Sequence, residues 1–378
     1  MTIDDFLKNL SEEIGFKFGT PWRYSDKALG VMIPILKIGD LGERGYVTLE
    51  EAKDKGVTFK DTGRIDRVIV ESSIGVPIFI RSGVMFKSSG TQPRAVETSV
   101  VIIPQEEKKK EEKKEEIPPI PIVTKIEIPV RCIHATKGIR SSEKFSYGGD
   151  VPLEVRSVLM SKRGQSETWA AVGHATNRFM SSMTGQAYSS SGSSYRAARL
   201  NTNDLVGVME EVDKFTPNID DILAKVPLFE DQVGAVFLDM KDVVGLELFD
   251  HPKSWEAIHK EVEKRLGESS AKEEDKSFFK PDYDRLKPLT FAFLKKLIES
   301  EKTEISRNNK VSTISLKGDG IIGEATTIDG KVIHLIGIKE SKIVDHKSGS
   351  LTNRVTSDTI RAYTSATRGD DRWNVNII

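Results

Sequence analysis

Between Ile80 and Ala95 the chain reads Arg81-Ser82-Gly83-Val84-Met85-Phe86-Lys87-Ser88-Ser89-Gly90-Thr91-Gln92-Pro93-Arg94, with a carboxamide and a guanidinium two residues apart at its end. Apolar runs flank it, Val76 to Ile80 and Val96 to Ile103, and both read as strands. A bend between them puts Gln92 and Arg94 at the end of a sheet, where loops on a rigid scaffold carry sites. A guanidinium grips phosphate or carboxylate through two parallel N–H bonds, so the chemistry expected here is the holding of an anion.

More cations follow. Arg131 and Arg140 flank His134, and Arg156, Arg163 and Gln165 precede a helix expected to begin near Ser166, whose first turn adds backbone donors. Trp169 supplies a face on which a base could stack. His134 is the one proton-transfer group in this neighbourhood. Meeting in space, these side chains would form an anion pocket; left apart, each arginine is an ordinary solvated or salt-bridged residue.

Other chemistry is thinly represented. The six histidines, His134, His174, His251, His259, His334 and His346, show no metal-ligand spacing, and the single cysteine excludes both a disulfide and a multi-cysteine metal site. No metal and no cofactor are expected. His251 and His259 read as surface helix positions, and His334, in an apolar strand, as a hydrogen-bonded core or contact residue. Cys132 and His134 share a strand face but stand ~7 Å apart there, too far for a nucleophilic pair without a bend. Cys132 therefore reads as a small buried hydrophobe.

A literal GxGxxG at Gly318, Gly320 and Gly323 is followed by an Asp329-Gly330 hairpin pattern rather than the helix a pyrophosphate needs. No Walker loop, G-x-S-x-G elbow or EF-hand spacing occurs.

Lys+Arg number 56 against Asp+Glu 57, which argues against a global nucleic-acid or membrane-surface field and leaves a local basic patch open. The acidic, amphipathic start at Met1 to Leu10 lacks a secretory pattern, and no apolar run approaches the ~20 residues needed to cross a bilayer. A cytoplasmic protein without a membrane partner is expected.

The elements that would position these residues follow from periodicity. A short helix opens residues 1–21. Residues 22–160 are β-rich, interrupted by a helix over Leu49 to Lys55 that Thr48 caps, with Glu51 three residues on and Gly56 as its stop. Within that part lies a charged insertion, 105–122, whose Glu/Lys run reads as a solvated strand connection. Residues 161–340 mix helices (Ser166 to Met180, Asp204 to Val212 capped by Asn203, Ile219 to Lys225, Ser254 to Leu266, Leu289 to Ser300) with a hairpin over Val233 to Phe249 and a strand-rich Val311 to Ile338. A polar tail, 341–378, ends on Trp373, Val375, Ile377 and Ile378, an apolar end suited to docking on the body or on a protein partner.

Seven of these segments occur in an order that carries a resemblance: Tyr46-Val47-Thr48-Leu49-Glu50-Glu51-Ala52; Val76-Pro77; Gly90-Thr91-Gln92-Pro93-Arg94; Ile128-Pro129-Val130-Arg131-Cys132; Arg163-Gly164-Gln165-Ser166-Glu167-Thr168-Trp169; Gln232 to Ala235 with Glu247-Leu248-Phe249; and Val332-Ile333-His334-Leu335. From about Gly45 to Ile338 the chain resembles the domain family named for its association with ADP-ribosylglycohydrolases and rhodanese-phosphatases. The name implies a role around ADP-ribosylated or nucleotide-containing substrates, which is an association and not a chemistry. By position, Gln92 and Arg94 match the family's Q-x-R element, Gln165 and Trp169 its Q-x-x-x-W element, and Cys132 the strand after the long connection. The chain departs from the family at Val84 and His134, where acidic residues are usual, and at Gly138-Ile139-Arg140 in place of Gly-Arg-Trp. If those acids were general acid or base, the chemistry has gone with them.

The expectation is an α+β protein, with an antiparallel β-rich N-terminal part and a mixed helix/strand C-terminal part. Its expected function is recognition, with or without hydrolysis, of a phosphate-bearing nucleotide-type ligand such as ADP-ribose or a modified RNA end. Gln92, Arg94, Arg140, Arg163, Gln165 and Trp169 would bind, and His134 would move a proton. The other reading is a non-catalytic assembly protein that uses the insertion and the tail.

Overall fold

The computed structural model describes residues 2–23, 30–105, 123–135, 137–138, 143–187, 203–215, 227–239, 242–270, 283–308 and 310–340. All of them belong to one unit, 1–341; the unit formed by 342–378, with the polar tail, lies outside the described residues. So do the Glu/Lys insertion, Arg140 and the helix expected at Ile219 to Lys225.

Helix α1, Ile3–Ser11, begins at a capping box in which Thr2 and Asp5 exchange side-chain and backbone bonds. Its Ile3, Phe6, Leu7 and Leu10 recur at helical spacing and are all buried. They pack with α7, Tyr283–Glu299, in a core under a nine-stranded antiparallel sheet. That sheet runs β1 (Phe16–Phe18), β3 (Val31–Lys37), β13 (Gln232–Leu238), β14 (Val243–Phe249), β18 (Lys331–Lys339), β17 (Ile321–Ile328), β16 (Val311–Gly318), β15 (Glu301–Arg307), with β2 (Trp22–Arg23) also on β3. Strand β3, from the N-terminal part, pairs with β13, so one sheet joins both parts of the chain.

Six strands close a barrel in the order β11 (Thr124–Cys132), β6 (Arg67–Ser72), β5 (Val57–Asp61), β12 (Lys144–Asp150), β8 (Val84–Lys87), β9 (Arg94–Val96). Closure removes free sheet edges, and Phe59, Phe86, Val68, Val70, Ile128 and Val130 fill the interior. A three-stranded sheet, β10 (Val100–Ile102), β7 (Ile78–Ile80), β4 (Val47–Thr48), contributes Phe79 and Val101 to a second core. The same core takes Trp255 from α6, Pro252–Ser270, and Phe237 and Phe249 from the large sheet.

The α+β reading holds, and the strand-rich ends match it closely. The Asp329-Gly330 turn has positive φ at both residues, 49° and 74°, and links β17 to β18 as a hairpin. Gly318 and Gly323 accordingly lie in strands, and the next element is the strand β18 rather than a helix. Some boundaries differ. Helix α2 spans only Leu49–Ala52, although its Thr48–Glu51 capping box forms as expected. Helix α7 starts at Tyr283, ahead of Leu289, because its apolar face reaches back to Leu286. His259 is buried and not a surface residue, on a helix that packs against β13 and β14; its Nδ1 lies 2.9 Å from the Glu256 carbonyl. His251 precedes that helix and accepts from the Lys253 amide.

Candidate functional site

The stretch read as one bend contains two strands. Val84–Lys87 is β8 and Arg94–Val96 is β9, and they pair antiparallel across the loop Ser88 to Pro93. Val84 packs in the barrel core, where a carboxylate would be desolvated. Gly83 has φ +85°, and an added Cβ would stand 2.9 Å from Arg156, so the close approach requires glycine.

Beside that loop the barrel rim and one helix enclose a polar cleft of about 350 Å³. The rim gives Lys87, Ser88, Ser89, Pro93 and Ser146, and the segment after β11 gives His134 and Lys137. The opposite wall is the start of α5, Leu205–Phe215, with Asp204, Val206, Gly207 and Glu210. Asp204, and not Asn203, caps this helix: its Oδ1 accepts from the Gly207 amide at 3.0 Å. Lys87 Nζ reaches Glu210 across the cleft at 3.0 Å, and Lys137 Nζ donates to the Ser88 carbonyl at 2.7 Å. His134 forms an isolated backbone bridge with Asp204, and its Nε2 lies 3.8 Å from Asp204 Oδ2.

Of the sequence-predicted residues described, the cleft is lined by His134. Four others gather behind it, around the end of β11, where Gln92 and Gln165 bond to main-chain groups. Gln92 donates through Nε2 to the Lys137 carbonyl. Arg94 is fully buried; its Nη1 donates to the Gln92 carbonyl at 2.7 Å, and its Nη2 faces Asp61 at 3.6 Å. Gln165 brackets Cys132, accepting from its amide at 3.1 Å and donating to its carbonyl at 2.7 Å. The Trp169 indole stands beside the Cys132 thiol. Arg163 turns to Glu340 at 2.7 Å, where it forms a half-exposed ion pair.

Cys132 is buried, and that burial pushes its thiol up, against the opposing influence of a backbone hydrogen bond at His134 and of Arg94. Its sulfur contacts the His134 backbone (3.1 Å to the carbonyl oxygen, 3.4 Å to the amide nitrogen), as expected of a packed residue.

A second polar cluster lies inside the molecule. Arg81, Asp150, Arg156, Glu247 and His334 meet with Glu50 where the barrel, α3 (Leu153–Met160) and the large sheet abut. Three resemblance segments contribute to it through Glu50, Glu247 and His334, so those segments mark packing as much as a site. Sequence reasoning missed Lys87, Lys137, Asp204 and Glu210 because nothing in their spacing sets them apart from surface charge. Asp204 left one faint signal, a cap-forming residue directly before an apolar helix.

Residues 120–338 match the family model of the ARPP-1 domain, described as ARG and Rhodanese-Phosphatase-superfamily-associated Protein. That span includes the segments from Ile128 to Leu335, while those around Tyr46, Val76 and Gly90 precede it. No curated protein and no solved structure matches the chain.

Proposed function

This chain belongs to the ARPP-1 domain family, and on that premise we propose that it binds a small phosphate-bearing, nucleotide-type ligand such as ADP-ribose. The observation that carries the reading is the cleft at the barrel rim, where Lys87, Lys137 and His134 line one wall. Its size falls at the lower end of ligand pockets, roughly 300–1,000 Å³.

Phosphate binding there asks little of the protein. The Lys87–Glu210 pair is exposed on both sides, and pairs of that kind contribute about 0–1 kcal/mol. A dianionic phosphate replacing Glu210 on Lys87 therefore gains more than it displaces. Lys137 sits on the same wall, and the first turn of α5 adds the positive end of a helix dipole. Arg94 and Gln92 support this wall from behind and do not reach the ligand in this reading. The reading is one of binding: the buried Cys132 thiol is no nucleophile, and we assign no hydrolytic step.

Thermal denaturation of the full chain with ADP-ribose, ADP and inorganic phosphate tests it. A ligand at a hundred times its Kd adds about 2.7 kcal/mol to stability. ADP-ribose or ADP is expected to raise Tm, and Lys87→Ala to weaken that binding about tenfold. No stabilisation by any of the three at millimolar concentration would overturn the reading.

A further inference from the structure

The two walls of the cleft carry opposite charge. Lys87 and Lys137 line the barrel side, while Asp204 and Glu210 line the side formed by the start of α5. The lysines account for a phosphate, but they give no reason for two carboxylates opposite it. An ionised carboxylate accepts hydrogen bonds and donates none, so its partner on a ligand is a group bearing O–H or N–H.

The bonds of the two carboxylates decide which one is available. Asp204 Oδ1 accepts from the Gly207 amide at 3.0 Å as the helix cap. Glu210 takes Lys87 through Oε1, and among the described residues its Oε2 makes no hydrogen bond. The Glu210 side chain is 52% exposed, so it can turn along the wall when a phosphate occupies Lys87. Gly207 lies one turn earlier on the same helix face, ~4.5 Å nearer the N-terminus, and leaves bare backbone between the two carboxylates. A sugar ring can approach the wall there.

We propose that Glu210 is the specificity-determining residue of this cleft, accepting both hydroxyls of a ribose 2′,3′-diol whose phosphate sits on Lys87. The role rests on the cleft being the ligand site, and it narrows the ligand to ribose phosphates. A vicinal diol matches the two oxygens of one carboxylate. In a nucleotide it also lies closer to the 5′-phosphate than the amino group of the base does.

Calorimetric titration of the full chain with ADP and 2′-deoxy-ADP tests it. The deoxy compound leaves one carboxylate oxygen without its donor. It is expected to bind the parent chain about tenfold more weakly, the scale of one hydrogen bond to a charged group. In Glu210→Ala the two nucleotides are expected to bind alike, whatever freeing Lys87 does to phosphate affinity. Glu210→Gln, which keeps the length and loses the charge, should narrow the difference to about threefold or less. Melting curves check that both variants fold. Equal affinity for the two nucleotides in the parent chain, or a tenfold difference that persists in both variants, would overturn the proposal and leave the cleft reading standing. Binding of neither nucleotide would overturn both.

Discussion

Arg156 closes a two-bond fork on Glu247, Nη1 to Oε2 at 2.9 Å and Nη2 to Oε1 at 3.0 Å, in a place where neither side chain meets solvent. Arg81 approaches the same carboxylate at 3.4 Å while it holds Asp150 at 2.7 Å and Glu50 at 2.9 Å. Burial alone would raise Glu247, but the two guanidinium groups and His334 outweigh it and hold the carboxyl well below the usual range. These ions come from β14, α3, β12, α2 and the turn after β7, so the cluster locks barrel to sheet in one relative placement.

Removing the shared acceptor should therefore be severe. Glu247→Gln keeps the shape and leaves two buried guanidinium groups without their common anion, which is expected to lower unfolding free energy by about 3–5 kcal/mol. Urea denaturation measures it. Lys87→Ala, at an exposed pair, is the control and should change stability by less than about 1 kcal/mol. Equal effects of the two substitutions would contradict the cluster's role.

His334 donates from Nε2 to Glu247 at 2.9 Å and is wholly buried. Burial lowers its pKa, and the Glu247 bond opposes this only in part. With the folded value below the unfolded one of about 6.5, the unfolded chain binds the proton first as pH falls. Stability is thus full above about pH 6.5 and declines below it, before Glu247 begins to lose its charge advantage at lower pH. Buried His259 acts in the same direction, so the measurement is a difference: between pH 7.5 and 5.5, His334→Gln should lose less stability than the parent chain. Parallel losses would show that His334 is not the titrating group.

Arg94 and Lys87 should separate structure from binding. Arg94→Ala leaves buried Asp61 with Thr91 at 2.6 Å but without its cation, and is expected to destabilise the fold by about 3 kcal/mol. At temperatures where the variant is folded, its affinity for ADP-ribose should stay within about threefold of the parent's. Lys87→Ala should do the reverse. Calorimetric titration beside a melting curve distinguishes them, and an Arg94 variant that is stable but binds poorly would return the anion-holding role to Arg94.

Local patterns were legible wherever one segment decides its own shape. The Thr48–Glu51 box, the Asp329-Gly330 hairpin, buried His334 and buried Cys132 all follow from a few neighbouring residues. Barrel closure was not legible, because it depends on β9 returning to β11 across the charged insertion, a pairing no local period encodes. The candidate site was half legible for the same reason. Gln92, Arg94, Gln165 and Trp169 do meet near His134, but their residue types do not say whether a polar tip faces solvent or is satisfied by backbone. Here Gln165 and Gln92 serve main-chain groups and leave the cleft to lysines that looked like ordinary surface charge.

Glu263 offers a prediction of opposite sign. It lies buried on α6, its Oε2 makes no hydrogen bond among the described residues, and burial pushes its pKa up to about 8, with Lys260 opposing. Between about pH 4.5 and 8 the folded state therefore holds a proton that the unfolded chain has released, so this group makes stability fall as pH rises through that window. Glu263→Gln, which cannot ionise, should match the parent chain near pH 5 and exceed it at pH 8.5 by an amount on the order of a few kcal/mol. Urea denaturation across that range reads the effect, and curves that stay parallel from pH 5 to 8.5 would mean that Glu263 is charged, or solvated, in the folded protein.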